Sequence, residues 1–327
     1  MYFLERGFEW SKKQLSYEEA TEEYKARIRQ QGQAELHTPA DVREPVSNNP
    51  SNNCSLYEHN DFYIDLRTPS DEKRGLITFF FLILGGMLAW AGMATIWFAV
   101  SDFMATDRGT SWEFYIFGLT FAPLTANIAL YFFLKFSIKF FRLESLTARR
   151  IIVRFNRITR KVYLLRPKHL GGIRIMDWDK TEILIDKKMS ELEGTGGFVI
   201  LVWDKGDGVD LQGTPTDNIE VTFIGKPTRN ASELLAFWEY IRRYMEDGPA
   251  AAPAPKKLIC KFPWPWLSLK AAWGLDTSFF RQSELRVFVL LNLLLWPVIL
   301  IHATGHWLSL LLCYEPRFPK VIEEAGR

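Results

Sequence analysis

The feature that most constrains this chain is an uncharged apolar stretch, Gly75–Val100, which reads GLITFFFLILGGMLAWAGMATIWFAV. In a helix, about 26 residues at ~1.5 Å each span about 39 Å, which exceeds the ~30 Å hydrocarbon core of a bilayer. A soluble protein rarely buries an unbroken apolar helix of this length. The stretch therefore predicts a transmembrane helix, and the other segments are assigned to one side of a membrane or the other.

Composition indicates a membrane anchor combined with a large polar part. The mean hydropathy is −0.06 and the formal net charge is +2, so polar segments must offset the apolar ones, and a polytopic channel is not expected. Cys54, Cys260 and Cys313 are scattered, which predicts neither a disulfide framework nor a metal site. The first 30 residues are charged and lack an apolar core, so no cleavable signal peptide is predicted.

A second apolar stretch, Phe114–Leu134, predicts a helix that returns across the membrane and forms a hairpin with the first. The first span carries three small residues on one face, which would let a neighbouring helix approach closely. Polar residues inside the apolar runs need partners on neighbouring helices. We expect helix-packing contacts at Gly85, Ala89, Gly92, Asn127, Asn292 and His302.

The distribution of basic residues predicts the orientation. Arg108 is the one basic residue between the two spans, whereas residues 146–170 carry eight Lys or Arg and no acid. Because basic residues are retained on the cytoplasmic side, the N-terminus and residues 142–285 are predicted to be cytoplasmic and the protein to cross the membrane more than once.

The region after the hairpin predicts an α+β domain. IIVRF, VYLL, GGIRIMDW, TEILI, FVILVW and NIEVTFIG are strand candidates, and FVILVW is apolar on both faces, as in a central strand. Asn230 and Glu233 form a capping box before a helix with one apolar stripe. A β-meander closed by a C-terminal helix predicts a pleckstrin-homology-like domain. The fold class is thus an α+β membrane protein with three transmembrane helices and this cytoplasmic domain.

The predicted segments follow one another along the whole chain. They are a polar tail with a helix at 1–53, a pre-membrane segment at 54–74, the hairpin at 75–141 with spans at 75–100 and 114–134, the cytoplasmic domain at 142–247, a Pro/Ala linker with an interfacial Lys/Trp segment at 248–285, a third span at 286–314, and a tail at 315–327. The N-terminal helix is expected at Ser16–Gln33.

The third apolar run leaves two topologies open. Two full crossings would need about 40 residues, more than the run provides. One tilted or kinked crossing is favoured, which leaves Glu315–Arg327 on the outer side. The alternative is a re-entrant hairpin hinged near HATGH, which keeps the tail in the cytoplasm.

Candidate sites in the sequence favour binding over catalysis. His302 and His306 share a helix face, but two ligands do not make a metal site, and satisfied polar side chains are the better interpretation. Asp204, Asp207 and Asp210 resemble a calcium loop only loosely, so a hairpin turn is expected. No catalytic residue, cofactor or metal is predicted. A basic face for lipid or a partner is predicted at Arg149, Arg150, Arg154, Arg157, Arg160 and Lys161. The alternative explanation of these charges is the orientation signal itself.

A family resemblance rests on RRIIVRFNRITRKVYLLRP, the MDWDK step, the FWEYIRRYMEDGP helix and the EPRFPKVIEEAG tail. These segments resemble a family of uncharacterised bacterial inner-membrane proteins, over about residues 60–325. Members are often encoded beside type VI secretion effectors, which implies an immunity role without catalytic residues.

Two functions are therefore expected from the sequence. The first is a non-enzymatic immunity protein that binds and neutralises a cognate, membrane-acting toxin. The alternative is a membrane-anchored sensor or scaffold whose pleckstrin-homology-like domain binds anionic lipid or a cytoplasmic partner. The expected partners are a protein toxin and membrane lipids, and not nucleic acid. Homo-oligomerisation stays open.

Overall fold

The structure is a computed structural model that describes residues 42–69, 74–105, 112–185, 197–228, 230–273, 291 and 294–326, together with residues 2, 5–7, 9 and 26. It is α+β, as the sequence predicts, and it divides into two compact units. We name residues 74–147 and 263–313 the helical unit. Residues 2–73, 148–262 and 314–327 form the sheet unit. The predicted helix at Ser16–Gln33 lies outside the described residues except at Ala26.

The helical unit contains two helices that are long and apolar enough to cross a membrane. Helix α1 is Leu76–Met104, and α2 is Ala122–Phe141. A helical turn, Trp112–Phe114, and a π-helical segment, Tyr115–Phe121, precede α2 and extend its apolar length. The first predicted span is thus confirmed as a helix and is longer than expected, while the second ends seven residues beyond the predicted Leu134.

The third predicted span is described only in its later part. Helix α3, Ala231–Glu246, precedes this span in the chain and belongs to the sheet unit. Two further helices belong to the helical unit: α4, Pro265–Trp273, and α5, Trp296–Leu311. Helix α5 has 16 residues, or about 24 Å of length. Asn292 lies outside the described residues.

The sheet unit is built from two antiparallel sheets. Six strands follow the order β1-β2-β3-β4-β5-β8, and three follow the order β6-β7-β9. The strands are β1 Leu56–His59, β2 Tyr63–Arg67, β3 Ile152–Asn156, β4 Lys161–Leu165, β5 Arg174–Asp177, β6 Glu182–Leu184, β7 Gly197–Trp203, β8 Gly208–Val209 and β9 Glu220–Thr228. The FVILVW segment is central in its sheet, because β7 pairs with β6 and β9.

Helix α3 closes the main core of the sheet unit. Asn230 caps it by accepting a hydrogen bond from the Ser232 amide, so the predicted cap is confirmed. Phe237, Trp238 and Ile241 are fully buried, and the Trp238 ring stacks on Trp178 at a centroid distance of 5.4 Å. The apolar stripe read from the sequence is thus the face that meets the sheets.

Two segments predicted as peripheral are integral to the sheet unit. The Pro/Ala segment at 248–255 is not a free linker, because Ala252 is fully buried in the main core and the Tyr240 hydroxyl donates to the Pro253 carbonyl at 2.9 Å. Short side chains allow this close approach. The C-terminal tail also belongs to this unit and ends in a one-turn helix, α6, Lys320–Glu323. Phe318 and Ile322 are buried on the outer face of β3 and β4.

Candidate functional site

The small-residue face of α1 lies against α2. A Cβ atom placed on Gly92 would lie 3.2 Å from the Asn127 Oδ1, and one on Gly85 would lie 3.1 Å from the Phe133 ring. Asn127 donates its amide to the Pro123 carbonyl at 2.8 Å, one turn earlier in α2. Ala89, between the two glycines, is half-buried. These contacts allow α1 and α2 to approach closely along the predicted face.

A buried polar cluster lies where α1 begins, α2 ends and α5 ends. We call this set the basal cluster: Arg74, Thr78, Glu144, Ser145, Ser309 and Cys313. Arg74 is 1% exposed and donates to the Ser309 hydroxyl at 2.8 Å, to the Cys313 sulfur at 3.1 Å and to the Glu144 carbonyl. One guanidinium thus joins three separate parts of the chain, which fixes these helix ends to one another.

Glu144 is the acid of the basal cluster and is fully buried. Its Oε2 accepts hydrogen bonds from the Thr78 amide at 2.9 Å and the Thr78 hydroxyl at 3.1 Å. Thr78 lies in the first turn of α1, whose amides have no partner within the helix. The carboxylate therefore acts as a cap supplied from the end of the other helix of the hairpin. Glu144 was not predicted as a site residue, although its position just after a long apolar run is the one sequence signal that points to it.

The two histidines of α5 have protein partners. The His302 Nε2 lies 3.0 Å from the Arg74 carbonyl, and the His306 Nδ1 lies 2.9 Å from the Ser268 hydroxyl of α4. Between them, Gly305 meets Gly75, since a Cβ on Gly305 would lie 2.3 Å from the Gly75 carbonyl oxygen. Among the described residues, no three His, Cys, Asp or Glu side chains are arranged to hold a metal ion.

The residues of the predicted basic face are paired with acids and carbonyl groups within the sheet unit. Arg154 on β3 is 3% exposed and makes two hydrogen bonds to Asp65 on β2, at 2.7 and 2.8 Å. Its guanidinium also lies over the rings of Tyr63, at 3.6 Å, and Phe318, at 4.2 Å. An arginine held in this way is a structural element of the sheet and is not available to a lipid phosphate.

The other predicted basic residues also have partners inside the sheet unit. Arg149 and Arg150 pair with Glu315 at 3.1 and 3.2 Å, and Lys161 pairs with Asp177 at 2.6 Å. The remaining arginines use partners from three further segments. Arg160 contacts Asp179 and Glu246, and Arg157 donates to the Asp61 carbonyl at 3.3 Å.

The acids around Arg160 titrate below their ordinary range. The hydrogen bond from Arg160 lowers the pKa of Asp179. Burial opposes this effect at Glu246, but hydrogen bonds from Arg160 and from the Trp178 indole, at 2.6 Å, outweigh it and lower the pKa of Glu246. Both carboxylates are therefore charged at neutral pH, and two arginines, Arg160 and Arg43, balance their charge.

The acidic loop after β7 is a turn, as the sequence analysis expects. Asp210 Oδ1 accepts the amides of Gln212 and Thr214 at 2.8 and 2.9 Å, and the Asp207 carboxylate pairs with Lys180 at 2.7 Å. An Asp that bonds to amides two and four residues ahead stabilises a tight turn.

Comparisons with known proteins identify a family and nothing beyond it. The model of a family of unknown function, DUF6708, matches residues 130–327. This match includes the last 12 residues of α2, most of the sheet unit, α4, α5 and the tail. No curated protein and no solved structure matches the chain.

Proposed function

The chain belongs to DUF6708, a family of unknown function, and we propose that it is a non-enzymatic immunity protein of the bacterial inner membrane that binds and neutralises a secreted toxin. The proposed location in a membrane rests on the exposed surface of α1. Large apolar side chains are exposed along its whole length, among them Phe80, Trp90, Trp97 and Phe103 at 65–72%. Such a surface is stable only against lipid or another apolar partner.

The proposed orientation places the sheet unit in the cytoplasm. Strands β2 and β3 are hydrogen-bonded neighbours, although α1 and α2 lie between them in the chain. A pair of crossings by α1 and α2 returns the chain to the side it left, which agrees with this pairing. The basic residues after α2 then select the cytoplasm as that side.

The sheet unit supports a binding role. Two antiparallel sheets closed by α3 agree with a pleckstrin-homology-like domain, to which β1, β2 and the C-terminal tail are added. Its basic strand pair is neutralised from within, so recognition by this unit would depend on shape and on a few rim charges. Immunity requires no chemistry, only tight and specific contact with the toxin.

The choice of a toxin as the partner comes from the resemblance to membrane proteins encoded beside type VI secretion effectors. A toxin that acts on the inner membrane is best met by a protein that resides there. The exposed faces of α1 and α2 offer apolar contact in the membrane, and such faces can pack against transmembrane helices of the toxin.

Co-expression with the gene beside it tests this proposal. The neighbouring effector is directed to the periplasm of a sensitive host, with the protein produced at matched levels or replaced by an unrelated three-helix membrane protein. We expect growth to be restored only by this protein, and purified effector to co-purify with it. Equal killing with both proteins would refute the immunity role.

Anionic-lipid recognition is the second candidate function, and one observation favours it. Trp264 and Trp266 stack at 4.5 Å with 40% and 58% of their surface exposed, and Lys270 lies exposed on the same helix, α4. Aromatic rings beside lysines are typical of the headgroup zone. Retention of phosphatidylglycerol over phosphatidylcholine by the purified protein, measured by native mass spectrometry, would support this function; equal retention would exclude it.

A further inference from the structure

We propose that α4 and α5 belong to a re-entrant element, so that the chain enters the cytoplasmic leaflet and returns, at the end of α5, to the side from which it entered. Its partner is therefore the acyl-chain region of that one leaflet. This inference rests on the membrane placement proposed above and adds to it the side on which the C-terminal tail lies.

The first observation comes from the sheet unit, which holds both ends of this segment. Before it, the Ile259 amide donates to the Leu56 carbonyl at 2.8 Å. After it, the Arg149 amide donates to the Tyr314 carbonyl at 2.8 Å, and Asn156 donates to the Ala325 carbonyl at 2.7 Å. A single crossing would place the tail and the sheet on opposite sides of the membrane, which these hydrogen bonds do not permit.

The second observation is independent, because it lies wholly within the helical unit. The basal cluster brings together Arg74 just before α1, Glu144 just after α2 and Cys313 just after α5. If α1 starts and α2 ends at the cytoplasmic surface, α5 ends there too. The chain therefore leaves the membrane at the surface where the hairpin began.

Charge then decides between a re-entrant element and two full crossings. An outward crossing before α5 would have to use residues between Pro263 and Trp296, where Lys270, Asp276, Arg281, Glu284 and Arg286 are spread along the chain. Each charge at the bilayer centre costs roughly 2.5–3.5 kcal/mol on insertion scales. Two crossings are therefore excluded, and a partial insertion of the apolar part remains.

The contacts of α5 agree with a helix that begins inside the membrane and ends at its surface. Irregular backbone at membrane depth is tolerated where protein covers it. Here the Gly75–Gly305 backbone contact fixes α5 to α1, and His302 and His306 find partners in Arg74 and Ser268. Three apolar side chains in the first two turns of α5 are exposed, Val298, Leu300 and Ile301, and lipid would cover them.

Cysteine labelling of the full-length protein tests the inference. Cys54 and Cys260 are exposed, so they are first replaced by serine, and single cysteines are then introduced by Val321→Cys in the tail or Ser111→Cys between α1 and α2. Val321 is 80% exposed and therefore accessible to a maleimide. In intact spheroplasts, an impermeant maleimide is expected to label the Ser111→Cys variant but not the Val321→Cys variant, which should react only after permeabilisation.

Two outcomes separate this inference from the proposed function. Labelling of the Val321→Cys variant in intact spheroplasts would refute the re-entrant element, but it would not contradict the proposed crossing of the membrane by α1 and α2. Failure to label the Ser111→Cys variant there would refute the proposed orientation itself. A C-terminal epitope tag gives a second measurement, since protease should remove it from inverted vesicles and not from spheroplasts.

Discussion

Arg154 shows how single residues determine what the basic strand can do. Its guanidinium is enclosed by Asp65, Tyr63 and Phe318, which come from β2 and from the C-terminal tail. The sequence places the arginine on a strand but does not show the partners, because they are about 90 and 160 residues away along the chain. A run of basic residues therefore predicts a cationic surface, whereas in the folded protein these residues pair with acids of the same unit.

Removing Asp65 should be costly, because it leaves the Arg154 guanidinium buried without its carboxylate. We expect Asp65→Ala to lower the free energy of unfolding by about 3–5 kcal/mol, and the double variant Asp65→Leu, Arg154→Met to recover most of it. Urea unfolding of the detergent-solubilised protein, followed by tryptophan fluorescence, measures both. The control is Lys161→Ala, whose exposed pair with Asp177 should contribute less than about 1 kcal/mol. An equal loss in both single variants would contradict this account.

Acid should weaken the sheet unit through Glu246 and Asp179. The pKa of each is lowered in the fold from its ordinary value, 4.5 and 3.8. Such groups stabilise the folded state above their ordinary pKa, and this stabilisation is lost as the pH falls through the lowered values. We expect the melting temperature to fall between about pH 5 and pH 3, and to fall less in Arg160→Gln. The same slope in both proteins would show that Arg160 does not set these pKa values.

At the scale of elements, a close backbone contact joins α5 to the residue just before α1, Gly75. Gly75 has a φ of +115°, which favours glycine, and its carbonyl would lie 2.3 Å from a Cβ at position 305. The long apolar run predicted a helix here, and the small residues at 85, 89 and 92 predicted a neighbouring helix, but no contact was predicted at Gly75. The contact was not predicted because a lone glycine in each of two distant segments carries no periodic signal.

Gly305→Leu should separate α5 from α1, because its side chain cannot fit against the Gly75 backbone. We expect a loss of thermal stability of at least several degrees in detergent, measured by fluorescence-detected size-exclusion chromatography after heating. Gly86→Leu is the matched control, since Gly86 is also helical but has open space around its Cβ direction. A larger loss in the Gly86 variant would refute the proposed role of this contact.

For the whole molecule, the sequence predicted the class and most of the strands because hydrophobic periodicity is a local property. It did not predict that the C-terminal tail completes the sheet unit. Strands β1 and β2 precede α1, most of the unit follows α2, and Phe318 and Glu315 come from the tail. These pairings are non-local, so they depend on complementarity between distant surfaces. The same reason explains why the basal cluster was missed while the helices that it joins were found.

The pairing of β2 with β3 has a consequence for synthesis of the protein. About 85 residues lie between these strands, so at 5–20 residues per second β2 waits roughly 4–17 s on the ribosome for its neighbour. In the proposed topology, the translocon has to insert α1 and α2 in the correct orientation during that interval, since β3 would otherwise emerge on the wrong side. The tail that supplies Glu315 to Arg149 is translated last. Under that proposed topology, a complete sheet forms only after correct insertion, and a chain inserted in the wrong orientation would keep exposed strand edges that quality-control proteases can recognise.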